Sequence, residues 1–584
     1  MLTDHFPMKP FSLFTSLILL SLSAHADVWI GGTASWNTDA NWQDGTKPTS
    51  GDGVIFNSSS TANLSTTLDA AFSITGLTLA SPTGAVTIAN GTSGSLTIGS
   101  GGIDMSAATQ NLTFSFTANS LVALGANQTW NVASGRSLTF VSSNTTIRNF
   151  DLGSRTITKS GTGNLVLGQG VNLTNGVFDL QAGNTTVQAG SSTNTTSAAS
   201  VSYKVGSSAT LTLTNNTGTL TFASPIEING GNVAISGGAS HSFSGAASGT
   251  GGTITASLSS TGTVLKTFSG SFTGSGTYNL RNEMTSSTTH AIVLSGNNSG
   301  FTGTFNINGT TGSRIVRLTA ANSGSAGAAW SVSANNSLQI NGVAVNLGSL
   351  SGAGGVTSSS GTSSITVGAL NASTTYSGII SGATNVTKTG SGTWTVSGVN
   401  SYTGTTTISG GKMEVTGSLA TGSAVSVGSS GTLAGTGTIG GDTSVSGTLA
   451  PGVATGTLAF TNSLALLSTA QLNWDLNPAN TAIGGGVNDL ATIGGSLTLD
   501  GVLNLSGGTF TGLAEGTTWR LFNYSGALTD NGLNIGTMPT LDAGQSWLID
   551  TATTGQVNLT IIPEPASSAF LLLGGTLLLR RKRA

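Results

Sequence analysis

Arg281, Glu283 and His290 form the densest group of proton-moving side chains in this sequence, all within the ten residues from Arg281 to His290. A carboxylate, a cation and an imidazole at such spacing suit general acid or base work on a bound substrate. The rest of the chain argues against it. Cleaving a polysaccharide needs converging carboxylates, or Arg and Lys beside bound Ca²⁺. Between the terminal segments, 19 acidic residues are scattered over more than five hundred positions, with only two histidines, His241 and His290. The expectation for 281–290 is therefore a solvated loop. With no cysteine in 584 residues there is no thiol nucleophile, thiolate metal site or disulfide framework.

Other motif-like runs carry as little chemistry. Gly435-Thr436-Gly437-Thr438-Ile439-Gly440 meets the spacing of a dinucleotide loop, yet no helix-forming sequence follows, and with 86 glycines such spacing arises by chance. It reads as a turn. Asp489 follows Gly484-Gly485-Gly486 but lacks the Gly-x-Gly-x-Asp spacing of a calcium-binding nonapeptide. Trp29, Trp36 and Trp42 lie within fourteen residues and suit either a sugar-stacking platform or, the preferred reading, a hydrophobic cap. No catalytic residue, cofactor or metal is expected.

The elements that would carry any site are strands. Charged residues make up 7% of the chain, against about a quarter in ordinary soluble domains. Gly, Ser and Thr together supply roughly two-fifths of the positions, which starves helices and favours turns and short strands. A hydrophobic content of 37% and a mean hydropathy of +0.18 are too apolar for a disordered linker. Setting aside Asp4, Lys9, Glu564 and the four C-terminal cations leaves 13 basic and 19 acidic residues, a net of −6. That balance, without a basic patch interleaved with aromatics, excludes nucleic acid as a partner.

Apolar–polar–apolar triplets recur as Leu77-Thr78-Leu79, Val86-Thr87-Ile88, Leu96-Thr97-Ile98 and Leu497-Thr498-Leu499. This is strand periodicity closed by Gly, Asn or Ser corners. A longer unit runs from Val386-Thr387-Lys388-Thr389-Gly390-Ser391-Gly392-Thr393-Trp394 through Asn400-Ser401-Tyr402-Thr403-Gly404 to Thr407-Ile408-Ser409-Gly410-Gly411. Its first half returns at Ile157-Thr158-Lys159-Ser160-Gly161-Thr162-Gly163, and its second at Asn298-Ser299-Gly300-Phe301-Thr302-Gly303. The unit resembles the autotransporter-associated β-strand repeat of bacterial passenger domains, most clearly over 376–450. Asn488 to Gly495 and Trp519 to Gly526 are similar to the closing section of such passengers. The resemblance implies an all-β, elongated right-handed parallel β-helix, or β-solenoid, of roughly 20 to 25 residues per coil. A C-terminal hydrophobic helix is expected beyond it.

Both ends read as addresses. Lys9 precedes an apolar run from Phe11 to Leu22, and Ala24-His25-Ala26 supplies the small-x-small box of a signal peptidase, so residues 1–26 are expected to be removed and the mature chain to start at Asp27. At the other end Pro563-Glu564-Pro565 leads into the uncharged run from Ala566 to Leu579 and the basic stop Arg580-Arg581-Lys582-Arg583. Fourteen residues at about 1.5 Å each fall short of a hydrocarbon core of about 30 Å, which suits a transient anchor in the inner membrane. This tail resembles the PEP-CTERM sorting signal of Gram-negative bacteria. The resemblance implies an exosortase as processing partner, cutting near Pro563 to Pro565.

The expected organisation is a signal peptide over 1–26, a cap over 27–60, solenoid coils over 61–560 and a sorting signal over 561–584. The Sec translocon and signal peptidase are the expected export partners, and extracellular polysaccharide is a candidate ligand. The chain ends in Arg-Lys-Arg-Ala, not in the aromatic closing strand of a membrane barrel, so self-secretion is not expected. Together these features point to an exported, non-enzymatic structural or adhesin-like protein of the cell surface or matrix. The rival is a carbohydrate-active enzyme, a lyase or hydrolase on the same scaffold, which would require several scattered acids to converge in a groove.

Overall fold

The computed structural model describes residues 25–564, apart from 92, 117–121, 143–149, 169–170, 172, 189–200, 216–217, 260–261, 286–288, 313 and 507. Each of the four apolar–polar–apolar triplets lies in a strand with its outer residues buried and its central Thr turned outward. Strands then stack in parallel, coil upon coil. On one face Thr66 lies opposite Ile88, Ile88 opposite Phe114, Phe114 opposite Phe140, Phe140 opposite Leu167 and Leu167 opposite Val187, each step close to the expected coil length. Further along, Val386, Thr406, Val425, Thr443 and Leu464 pair in turn, and the coils there are shorter. The chain is an all-β parallel solenoid.

That coil length does not hold towards the C-terminus. Leu464 pairs with Leu497 and Leu497 with Leu528, longer steps than any in the two series above. The excess lies in excursions between strands. One of them, between Gln471–Asp475 and Leu490–Ile493, leaves the stack and returns at Asn488 and Asp489.

Corners need backbone that side chains cannot follow. Gly390 has φ +69° and Gly411 φ +62°, and a Cβ on Gly390 would lie 2.0 Å from the carbonyl oxygen of Gly368, one on Gly411 2.3 Å from that of Gly390. Only glycine allows successive coils to turn this tightly in contact. Inside, one continuous apolar core runs the length of the coils. Equivalent positions stack their rings: Phe114 and Phe140 lie 4.7 Å apart at 7°, and Phe178 and Tyr203 5.4 Å apart at 10°.

The two ends differ from the body. Trp29, Trp36 and Trp42 are buried and meet edge to face, 5.2 Å apart at 81° and 5.4 Å at 87°. They lie in the interior of the first coil, with Trp36 Nε1 donating to Thr66 Oγ1, so they offer no platform for a sugar. At the C-terminus the parallel stacking expected throughout gives way to antiparallel pairing. Gln556–Pro563 runs antiparallel to both Thr518–Tyr524 and Gln545–Asp550. A reversed hairpin closes one sheet edge that a further parallel coil would leave unpaired. Among the described residues the only helical segments are the 3₁₀ turns Asp39–Asn41 and Ala321–Ser323, and no helix is long and apolar enough to cross a membrane. The expected C-terminal hydrophobic helix, Ala566 to Leu579, lies outside the described residues.

Candidate functional site

The repeat places a buried cation at a corner. Lys159 is buried, like Ile157 before it, and its ammonium turns inward to donate to the carbonyls of Ser160 (2.9 Å), Gly161 (2.8 Å) and Ala182 (3.1 Å). Lys388, its counterpart, donates to Thr389 (2.7 Å), Gly390 (3.0 Å) and Gly410 (3.1 Å). In each case two acceptors belong to the lysine's own turn and the third to the next coil. Burial holds both ammoniums below their ordinary range, Lys159 at about 8. Lys266 does the same work for Gly237 and Ala239, and burial pushes it down to about 7. The sequence carried a signal for this role: the same Thr-Lys-x-Gly-x-Gly occurs twice.

Asparagine provides a second staple. Asn400 Oδ1 accepts from the Ile380 amide at 2.8 Å while Nδ2 donates to the Ser418 carbonyl at 2.9 Å, so one side chain ties three coils. Asn298 repeats this with the Phe272 amide and the Ser323 carbonyl. The aromatic that follows, Phe301 or Tyr402, is buried in the core. Tyr402 O–H shares a hydrogen bond of 2.6 Å with Thr406, and burial pushes its phenol well above the usual range.

The catalytic candidates do not converge. Along the strand Thr277–Thr285, Arg281 and Glu283 occupy the outward positions while Asn282 and Met284 point inward. Glu283 holds a turn of the next coil through Thr310 and Thr311. Burial alone would raise it, but the donors of Thr311 and Thr310 outweigh that and keep it below the usual carboxylate range. His290 is buried, its Nδ1 accepting from the Val264 amide at 3.0 Å. The expected solvated loop is thus a strand followed by an inward imidazole. His241 behaves likewise, accepting from the Leu220 amide at 3.2 Å; burial first, and then the Lys266 ammonium, push it down to about 4. Asp489 accepts from the amides of Gly456 (2.9 Å) and Asp475 (2.8 Å), and burial raises it to about 7. It anchors the returning excursion. Gly435 to Gly440 is a corner running into the short strand Thr438–Ile439.

One open groove of about 520 Å³ crosses the outer side of five successive coils. Its floor is the aligned row Thr407, Ser426, Ser444, Ala465 and Thr498, one residue per coil. Asp442 is its one acid, and neither an aromatic ring nor a basic side chain lines it. Such a trough offers shape and hydroxyls to an extended chain, not acid–base chemistry.

Of the residues expected to act in sorting, Ala26, Pro563 and Glu564 are described. Ala26 opens the first strand, opposite Gly53. Pro563 ends the last strand, opposite Gln545, and the Glu564 amide donates to the Gly544 carbonyl at 2.7 Å. Ala24, Pro565, Arg580, Arg581, Lys582 and Arg583 lie outside the described residues.

Residues 386–415, which hold Lys388, Asn400 and Tyr402, match the passenger-associated-transport-repeat family. A stretch of 112 residues is 47% identical to the adhesin BmaC autotransporter of Brucella suis biovar 1 (strain 1330). The match covers 19% of this chain and 3% of that adhesin. The chain therefore carries a match to a passenger-associated-transport-repeat on a solenoid and is similar in part to an autotransporter adhesin.

Proposed function

We propose that this protein is an exported, non-enzymatic, adhesin-like rod of the cell surface or extracellular matrix. The observation that carries the reading is the inward use of the repeat's polar side chains: Lys388 and Asn400 serve neighbouring backbone, leaving small, mostly uncharged residues outside. The similarity to the adhesin BmaC autotransporter supports the same class. Right-handed winding accords with the strong preference of parallel crossovers for that hand. The enzyme alternative lacks support in the geometry of Arg281, Glu283 and His290.

Export proceeds through the Sec translocon and signal peptidase. The tail then holds the chain in the inner membrane until an exosortase cuts near Pro563 to Pro565. The spacing of Pro-Glu-Pro, apolar run and basic stop supports this step. Extracellular polysaccharide is the proposed partner of the groove over Thr407 to Thr498. Intact mass of the protein from envelope and culture fractions tests the sorting step. Wild type should lack the residues beyond about Pro563, and Glu564→Ala should retain them in the inner membrane; an intact tail in both refutes processing. Binding of the purified chain to matrix polysaccharide, and its loss in Ser444→Arg, tests the surface.

A further inference from the structure

His25 belongs to the segment that cleavage after Ala26 removes, yet in the uncleaved chain its imidazole stands among three carboxylates. Nδ1 lies 2.8 Å from Asp27 Oδ1 and 4.0 Å from Asp52 Oδ1, and Nε2 lies 3.8 Å from Asp44 Oδ2. One ligand atom from each of His25, Asp27 and Asp52 falls within 4.8 Å of the others. Asp27 is 2% exposed, and neither of its oxygens has another partner. The other two carboxylates are held by their own loop. Asp52 Oδ2 accepts from the Thr49 amide (2.7 Å) and hydroxyl (2.6 Å), which leaves Oδ1 facing the imidazole. Asp44 accepts from the Thr46 amide and hydroxyl.

Removing His25 takes away the one side chain that bridges these acids. Burial, then Asp52 and Asp44, already hold Asp27 above the usual carboxylate range, and the imidazole opposes them. The new α-ammonium of Asp27 is a single charge fixed to the backbone, against the three carboxylates of Asp27, Asp44 and Asp52. We propose that the mature chain binds a divalent cation where the imidazole stood, with Asp27 and Asp52 as anchoring ligands and Asp44 completing the site. An all-oxygen donor set selects a hard ion, and Ca²⁺ suits flexible carboxylate ligands drawn from a strand and a loop. The ion would join the first strand to the loop over 44–52, next to the Gln43 amide bound to the Val28 carbonyl and the Trp29–Trp42 contact. Signal-peptide removal would thus convert a corner bridged by an imidazole into a Ca²⁺-dependent cap. The inference rests on the reading of Ala24-His25-Ala26 as the cleavage box.

The test is a Tb³⁺ titration of the exported protein, exciting tryptophan, because Trp29 follows Asp27 and Trp42 precedes Asp44 by two residues each. Intact mass fixes the N-terminus first. A chain starting at Asp27 should give saturable Tb³⁺ emission that Ca²⁺ displaces, with affinity at least tenfold weaker in Asp52→Asn and unchanged in the distant Asp530→Asn. Asp27→Asn, whose buried position risks the fold, is secondary to Asp52→Asn. Absence of saturable emission, or equal affinity in Asp52→Asn and wild type, overturns the site. A mass showing a start at His25 overturns the cleavage reading alone. The chain started at Asp27 behind a heterologous signal then still tests the site, and should bind Ca²⁺ at least tenfold more tightly than the chain that keeps His25.

Discussion

Replacing Lys388 by Met should loosen one corner of the solenoid and leave the rest intact. The ammonium is buried and bonds three carbonyls at 2.7, 3.0 and 3.1 Å, two in its own turn and one in the next coil. A hydrogen bond to a charged group contributes about 1.5 to 3 kcal/mol, and a buried acceptor left unpaired costs about 1 to 3 kcal/mol. Three such bonds give a large gross loss. Against it stands the desolvation of the ammonium, which Met does not suffer and which shows in the lowered ionisation range of Lys388. Met also keeps most of the apolar stem. The net cost is on the order of 2 to 4 kcal/mol. Because each coil contacts only its neighbours, the loss stays local. Native-state hydrogen exchange should therefore speed up by roughly 30- to 1,000-fold over peptides from 384–415, with no change over 53–79. Lys412→Met is the matched control: its side chain is 38% exposed and pairs with Glu414 at 3.0 Å, a surface contact expected to contribute under about 1 kcal/mol. If the two variants exchange alike over 384–415, the carbonyl staple is not what holds this corner.

His241 gives the pH dependence an acid limb. Its folded value of about 4 lies below the ordinary 6.5, so the unfolded chain binds the extra proton first; its contribution is intact above pH 6.5 and is lost as pH falls towards 4. The loss is on the order of 3 kcal/mol, and His241→Asn should flatten the denaturation slope between pH 6.5 and 4. An unchanged slope would place the acid sensitivity elsewhere. Trp36→Ala should cost about 3 to 5 kcal/mol by opening a cavity under the first coil. Limited proteolysis should then cut first within the first coils, and cleavage that begins elsewhere would show that the cap is not the weak point.

Reading of the chain as strands and corners came from local patterning. Leu77-Thr78-Leu79 can bury its two leucines only as a strand, and Gly390 and Gly411 can turn where they do only without a Cβ. The twofold return of Thr-Lys-x-Gly-x-Gly showed one module reused, and the match over 386–415 agrees. Patterning did not show where the polar side chains go. The repeated Thr-Lys-x-Gly-x-Gly marked Lys388 as part of the module, but not that three carbonyls from two coils converge on its ammonium. Arg281, Glu283 and His290 look like a cluster, and strand alternation sends the first two out while His290 lies in. The antiparallel closure by Gln556–Pro563 was equally hidden, since alternation of apolar residues is the same in either strand direction. His25, Asp27, Asp44 and Asp52 are dispersed along the sequence, and they meet because strand register sets Ala26 against Gly53. Periodicity along the chain is a local property that each segment expresses alone. Contact between coils depends on register and on the length of every corner between, and only the assembled stack supplies those.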